Sequence, residues 1–554
     1  MHSTPFVPRL SALALALTLA ACASAPRGSD DAAPKREPSA ATSRVDALSD
    51  PHRVVEATLD DLAARLRDGR LSSVQLTQAY LDRIAALDDD GPLLNAVIEL
   101  NPDALLEADR LDAERKAGTL RGPLHGIPVL LKDNIDATPM ANSAGSLALA
   151  AHKPKTDAPL VAALRAAGAV ILGKTNLSEW ANFRSSRSSS GWSGRGLLTR
   201  NPYALDRTAC GSSSGSGVAI ASSLAAVGVG TETDGSILCP SAMNGLVGLK
   251  PTVGLISRSG IIPISASQDT AGPMARSVAD AARLLSALAA ADAGGDEAAR
   301  RADGHRLADY GAALDPGALQ GARIGFLHNS GVRYQPELNA ALERAIASLR
   351  KAGATVIEVE IPTAGQWDEA EYQVLLYEFK DGLERYLRDS QAPVRTLDEL
   401  IAYNRAHAEQ EMPLFGQELF ESAAKMGPLS DAAYRQAAAK ARRLAGPQGI
   451  DATLKRHQFD ALVAPTTGPA FLVDPINGDH FGGAGYGAAA VAGYPSLTVP
   501  MGDVRGLPVG LAFLGPKWSE AKLLGYGYAF EQLTRARIAP RYLPSVSMES
   551  VRAP

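Results

Sequence analysis

The stretch that decides the fold is residues 201–252, NPYALDRTACGSSSGSGVAIASSLAAVGVGTETDGSILCPSAMNGLVGLKPT. Its first third reads as a loop, from Asn201-Pro202 to the serine-glycine run that starts at Gly211. Small residues over 217–225 then read as a helix that can approach a neighbour closely. Val227–Thr231 is apolar and short, as a buried strand is. Thr233-Asp-Gly-Ser236 reads as a turn, and a further helix is expected after Ser236. Ser212 and Ser236 stand at the two breaks of this unit, 236 − 212 = 24 positions apart.

The same alternation extends outward. Thr58 precedes a helical face of Leu59, Leu62, Ala63 and Leu66 that Gly69 ends, with Asp60 and Asp61 in its first turn. Ser72 and Gln75 form a capping-box pattern for a second helix, which Gly91-Pro92 stops. Ile127–Leu131 and Ala169–Leu172 read as strands, with a helix over Leu160–Ala167 between them. Residues 277–300 and 335–445 read as mostly helical, and Ala461–Pro465 and Leu497–Pro500 as later buried strands. Strands alternating with helices imply an α/β fold with a largely buried sheet. No Pro/Gly linker divides residues 56–545, which read as one domain.

Two short motifs mislead. Gly168-Ala-Val-Ile-Leu-Gly173-Lys174-Thr175 satisfies the phosphate-loop pattern GxxxxGK(S/T). A helix precedes Gly168, however, and the apolar interior reads as a core strand, so nucleotide binding is not expected. Gly211-Ser212-Ser213-Ser214-Gly215 satisfies GxSxG, but a nucleophile elbow needs a strand before it and a placed histidine after it. Neither is legible here.

A longer match carries the function. Residues 201–252 resemble the signature segment of the amidase signature family. Further blocks follow the family's order: Leu124-His-Gly-Ile-Pro128 with Leu131-Lys-Asp-Asn-Ile135, Gly173-Lys-Thr-Asn-Leu-Ser-Glu179, Asp269-Thr-Ala-Gly-Pro273, Arg276-Ser-Val-Ala-Asp280, and Ala492–Pro500 with Gly506–Leu511. The resemblance implies a large mixed central sheet covered by helices on both faces. It implies hydrolysis of a carboxamide to a carboxylic acid and ammonia, with no metal or organic cofactor. Carried over by motif, Lys132 is the base, Ser212 the relay and Ser236 the nucleophile that holds the acyl group. Ser213 is the alternative relay, because the run of three serines leaves the register open. Backbone amides of Thr233, Asp234 and Gly235 would bind the oxyanion, with the Asp234 carboxylate turned elsewhere.

The chemistry sets a condition on Lys132. A free lysine titrates near ~10.4, and neutrality at pH 7 requires lowering it by about three, roughly 4 kcal/mol. Burial behind Ile127, Val129, Leu130 and Leu131 can supply that. Leu238 and Cys239 stand where some family members carry an arginine for a substrate carboxylate, so a neutral amide is expected. The Gly-Thr-Glu-Thr-Asp-Gly-Ser-Ile form, with Trp192-Ser-Gly-Arg-Gly-Leu197, is similar to bacterial peptide amidases, which act on C-terminal peptide amides. The rival reading from another class is an inactive, lipid-anchored amidase-fold binding or scaffold protein.

Bulk properties fit an enzyme of a small-molecule or peptide amide. The chain has 554 residues, 46% hydrophobic and 21% charged, with a formal net charge of −5, so no nucleic-acid footprint is present. Three cysteines (Cys22, Cys210 and Cys239) make no disulfide framework, and the latter two read as small buried residues. Residues 10–21 form an apolar segment too short to span a bilayer, and Leu19-Ala-Ala-Cys22 resembles a bacterial lipobox. Residues 1–21 thus read as a lipoprotein signal peptide, Cys22 as its lipidation site, and 22–55 as a flexible tether. The expected location is the bacterial envelope, on the outer membrane facing the periplasm. Ordinary cleavage to a soluble periplasmic protein is the alternative, and the export signal argues against a component of a tRNA-dependent amidotransferase.

Overall fold

The computed structural model describes residues 54–332 and 335–546. The signal-peptide and lipidation readings, Cys22 included, lie outside the described residues. Val54, assigned to the tether by sequence, is fully buried in the core.

The strands are β1 (Val97–Leu100), β2 (Pro128–Lys132), β3 (Val170–Thr175), β4 (Trp192–Ser193), β5 (Leu197–Leu198), β6 (Val227–Glu232), β7 (Val247–Lys250), β8 (Thr270–Ala275), β9 (Arg323–Leu327), β10 (Thr355–Val359), β11 (Ala461–Pro465), β12 (Ser496–Val504) and β13 (Leu507–Leu514). Eleven of them form one mixed sheet in the order β1-β3-β2-β6-β8-β7-β12-β13-β11-β9-β10, and β4 and β5 pair separately. The α/β architecture therefore holds. Within it β2 runs parallel to both β3 and β6, whereas β8 is antiparallel to β6. Every residue of β2, β3 and β6 is buried, as expected of strands covered on both faces.

Local signals act where the sequence places them. Thr58 caps helix Leu59–Arg67 by accepting from Asp61 N. Ser72 and Gln75 complete a reciprocal capping box on helix Ser73–Leu87. The phosphate-loop pattern is a strand: Gly173, Lys174 and Thr175 end β3, and Lys174 is buried.

Several boundaries differ from the sequence reading. β2 continues into Lys132, so the lysine leaves the end of a buried strand. The small-residue helix begins at Ser214 rather than Gly217 and ends at Ala221. Serine and glycine are poor helix formers, but here every helix residue is buried and close approach decides. A Cβ on Gly215 would lie 2.2 Å from Ala96 O. β1, β7, β8, β9 and β10 are absent from the sequence reading, and β10 interrupts the helical region 335–445. β10 is an edge strand paired only with β9, with a partly exposed pattern that lacks a continuous apolar run.

Asp133 follows the end of β2 and pairs away from the lysine beside it. Lys174 Nζ lies 3.1 Å from Asp133 Oδ1, and both side chains are fully buried. Ser143 Oγ donates to the same carboxylate, and Arg195 Nη1 lies 3.5 Å from it. Removing one partner of a buried pair leaves a charge without compensation. Asp133→Ala is expected to destabilise the fold by about 3–5 kcal/mol, measured by urea unfolding. A loss below about 1 kcal/mol would mean that Lys174 does not depend on this carboxylate.

Candidate active site

The ends of β2 and β6 bring two polar residues together. Leu131 is in register with Val229 across the parallel pair, so Lys132 and Thr231 emerge side by side at the carboxyl ends. Crevices in α/β sheets form at such ends. Lys132 is fully buried. Its Nζ lies 2.7 Å from Ser212 Oγ, 2.9 Å from Thr231 Oγ1 and 3.1 Å from Thr231 O. Asn134 Nδ2 also donates to Thr231 Oγ1, at 3.0 Å.

This set of three partners suits both protonation states of an amine. A charged ammonium has three N–H groups for three acceptors. A neutral amine donates two to Thr231 O and Oγ1 and accepts the Ser212 O–H on its lone pair. One proton moving along the Nζ–Oγ line interconverts them. Burial pushes Lys132 down to about 7, with the carboxylates of Asp269 and Glu232 acting in the opposite direction.

The three serines have different partners. Ser212 faces Lys132. Ser213 Oγ donates to Thr231 O at 3.0 Å and accepts from Thr231 N at 3.2 Å. Ser214 Oγ donates to Cys210 O at 2.6 Å. Ser213 N donates to Ser236 O at 3.1 Å, which joins the two serine-bearing segments. No hydrogen bond links the Ser212 and Ser236 hydroxyls among the described residues.

Ser236 lines a cleft of about 250 Å³ together with Phe183, Asp234, Leu375, Phe481 and Tyr486. Carboxylates brace the turn before it. Glu232 Oε2 accepts from Ile237 N at 2.7 Å and Leu238 N at 2.9 Å. Thr233 Oγ1 donates to Asp269 Oδ1 at 2.6 Å, and burial pushes Asp269 up to about 6. Gly235 has φ +86°, where an L side chain is disfavoured, and a Cβ there would lie 2.1 Å from Tyr486 Oη. Asp234 is the exposed residue of this turn, between buried Thr233 and Gly235.

Sequence reasoning missed Thr231, Asn134, Glu232 and Asp269. It also missed a disulfide: Cys210 and Cys239 are joined, with Cα atoms 5.9 Å apart. The expectation of two small unpaired residues is corrected, because the fold brings together positions whose separation of 29 residues carries no local signal.

A family model described as Amidase matches residues 75–524. The native peptide amidase of Stenotrophomonas maltophilia is similar in structure, with a TM-score of 0.86 and 60% identity, covering 89% of this chain and 100% of that one. A probable amidase of Arabidopsis thaliana is 39% identical over 510 residues, 90% of this chain and 93% of its own length. A putative amidase of Schizosaccharomyces pombe is 35% identical over 523 residues, 89% of this chain and 88% of its own. These relatives correct the expected location on a bacterial outer membrane. Near-full-length matches come from a plant and a yeast, so the fold is not tied to a bacterial envelope. Among the described residues no helix is long and apolar enough to cross a membrane.

The displaced lysine has a consequence for stability. Between pH 7 and about 10.4 the unfolded chain holds a proton on Lys132 that the native protein lacks, so stability falls as pH falls through this window. The slope contributed is about 1.4 kcal/mol per pH unit. Lys132→Met is expected to remove that contribution, giving a flatter curve from pH 7 to 10 in urea unfolding. Identical slopes for both proteins would show that the amine is charged in the native state.

Proposed function

The chain belongs to the amidase family and is an amide hydrolase, and from that premise we propose that it works through Lys132, Ser212 and Ser236 on neutral carboxamides, C-terminal peptide amides among them. The observation that carries the reading is a buried lysine amine 2.7 Å from Ser212 Oγ. In this scheme neutral Lys132 takes the proton of Ser212, and Ser212 takes that of Ser236. Ser236 Oγ attacks the carbonyl carbon, and the oxyanion forms beside the backbone of residues 233–236. The lysine proton returns through Ser212 to the amide nitrogen, and ammonia leaves. Water then cleaves the Ser236 ester, releasing the carboxylic acid. The Ser213–Ser236 backbone bond supports the approach of the two hydroxyls that the relay needs.

The cleft supports a neutral substrate. Among the described residues its lining holds apolar Phe183, Ile264, Leu375 and Phe481, the carboxylates of Asp234 and Asp479, and no lysine or arginine. Leu238 is buried and Cys239 is bonded to Cys210, so neither position offers a cation to a substrate carboxylate. The similarity to a peptide amidase supports the C-terminal amide class.

Two measurements test this. A fluorophosphonate is expected to label wild type but not Ser236→Ala, whose ammonia release falls by at least about 10³-fold. Equal labelling of both would remove Ser236 from the mechanism. The wild-type kcat/KM is expected to rise with pH through about 7, as Lys132 loses its proton. Peptide amides should be preferred to free glutamine, and the reverse preference would overturn the substrate class.

A further inference from the structure

The disulfide lies between the two serines in a way that stability alone does not require. Cys210 is two residues before Ser212, and Cys239 is three after Ser236. Each cysteine is fastened to the turn of its own serine. Ser214 Oγ donates to Cys210 O at 2.6 Å and so closes the loop around Ser212. Cys239 N donates to Gly235 O at 2.8 Å and closes the turn around Ser236. Between the serine segments themselves stands the Ser213–Ser236 backbone bond, with Asn244 Nδ2 adding a bond to Ala209 O at 2.9 Å. Cys210 also lines the cleft beside Gly211 and Ser236. Its backbone is in the left-handed region at φ 55°, which an L residue holds only when its surroundings impose it.

We propose that the Cys210–Cys239 bridge is a positioning element of the active site, which holds the Ser212 loop at the fixed separation from the Ser236 turn that proton transfer needs. The covalent link between two closed turns limits a separation that the Ser213–Ser236 hydrogen bond alone leaves free to lengthen. The inference rests on the assignment of Ser212 and Ser236 above. A bridge also stabilises by restricting the unfolded chain. That contribution changes the unfolding midpoint and leaves the rate constant of a folded enzyme unaltered.

The test compares bridged protein with Cys210→Ala/Cys239→Ala, assayed well below the unfolding midpoint of each. The expected result is a fall in kcat of roughly 10- to 100-fold with KM within about threefold, since a displacement near 1 Å suffices for such a loss. Fluorophosphonate labelling of Ser236 should slow in parallel. A variant with unchanged kcat, whatever its midpoint, would overturn the proposal. Should the variant not fold, full-length wild type is reduced with a water-soluble phosphine. Phosphine and water then become phosphine oxide as the disulfide becomes two thiols, which a maleimide counts. Reduced protein is expected to regain its rate on reoxidation by a small disulfide, and equal rates in both forms would overturn the proposal. Failure of the underlying assignment looks different: bridged wild type would label no better than Ser236→Ala does.

Discussion

A lysine amine held inside the protein, out of reach of water, is the constraint on which the rest of the site depends. Water would keep Lys132 charged; burial at the end of β2 lowers it to about 7. Such a group must be supplied with partners that satisfy it in both protonation states. Thr231 and Ser212 do this with three oxygens, two of them from one residue. The apolar run Val129–Leu131 provides the dry approach, and the parallel pairing of β2 with β6 provides Thr231.

Charge around the amine is arranged so that no carboxylate captures it. Asp133, its neighbour in sequence, pairs with Lys174 instead. Glu232 is engaged by the amides of Ile237 and Leu238, and Asp269 by Thr233 and the amides of Ile264 and Ser265. These carboxylates do raise the lysine's proton affinity, but burial exceeds their effect. The same groups shape the turn around Ser236. One set of buried acids therefore leaves Lys132 without a paired carboxylate and braces the segment around Ser236.

The cleft takes its character from what surrounds Ser236. Apolar Phe183, Ile264, Leu375 and Phe481 line it beside Asp234 and Asp479. Tyr486 closes in on Gly235 so tightly that no side chain fits there. The wall at Cys210 is covalently joined to the segment after Ser236. Rigidity at this point contrasts with the soft contacts on which most loops rely.

Much of this was legible in the sequence, because it is encoded locally. Caps at Thr58 and Ser72, the strand character of residues 128–131 and 227–231, and the α/β alternation follow from side-chain pattern and capping chemistry within a few residues. The ordered motif blocks identify the amidase family, as the match over residues 75–524 shows. What depended on pairing distant strands was not legible. Thr231 as the lysine's partner, Lys174 as the partner of Asp133, and the Cys210–Cys239 bridge each need two segments to meet, and sequence spacing says nothing about which do. The edge strand β10 was hidden for the same reason, since one neighbour in the sheet decides its state. The motif points to Ser212 with Ser213 as the alternative, and tertiary structure sets Ser212 opposite the lysine while Ser213 bonds Thr231 O.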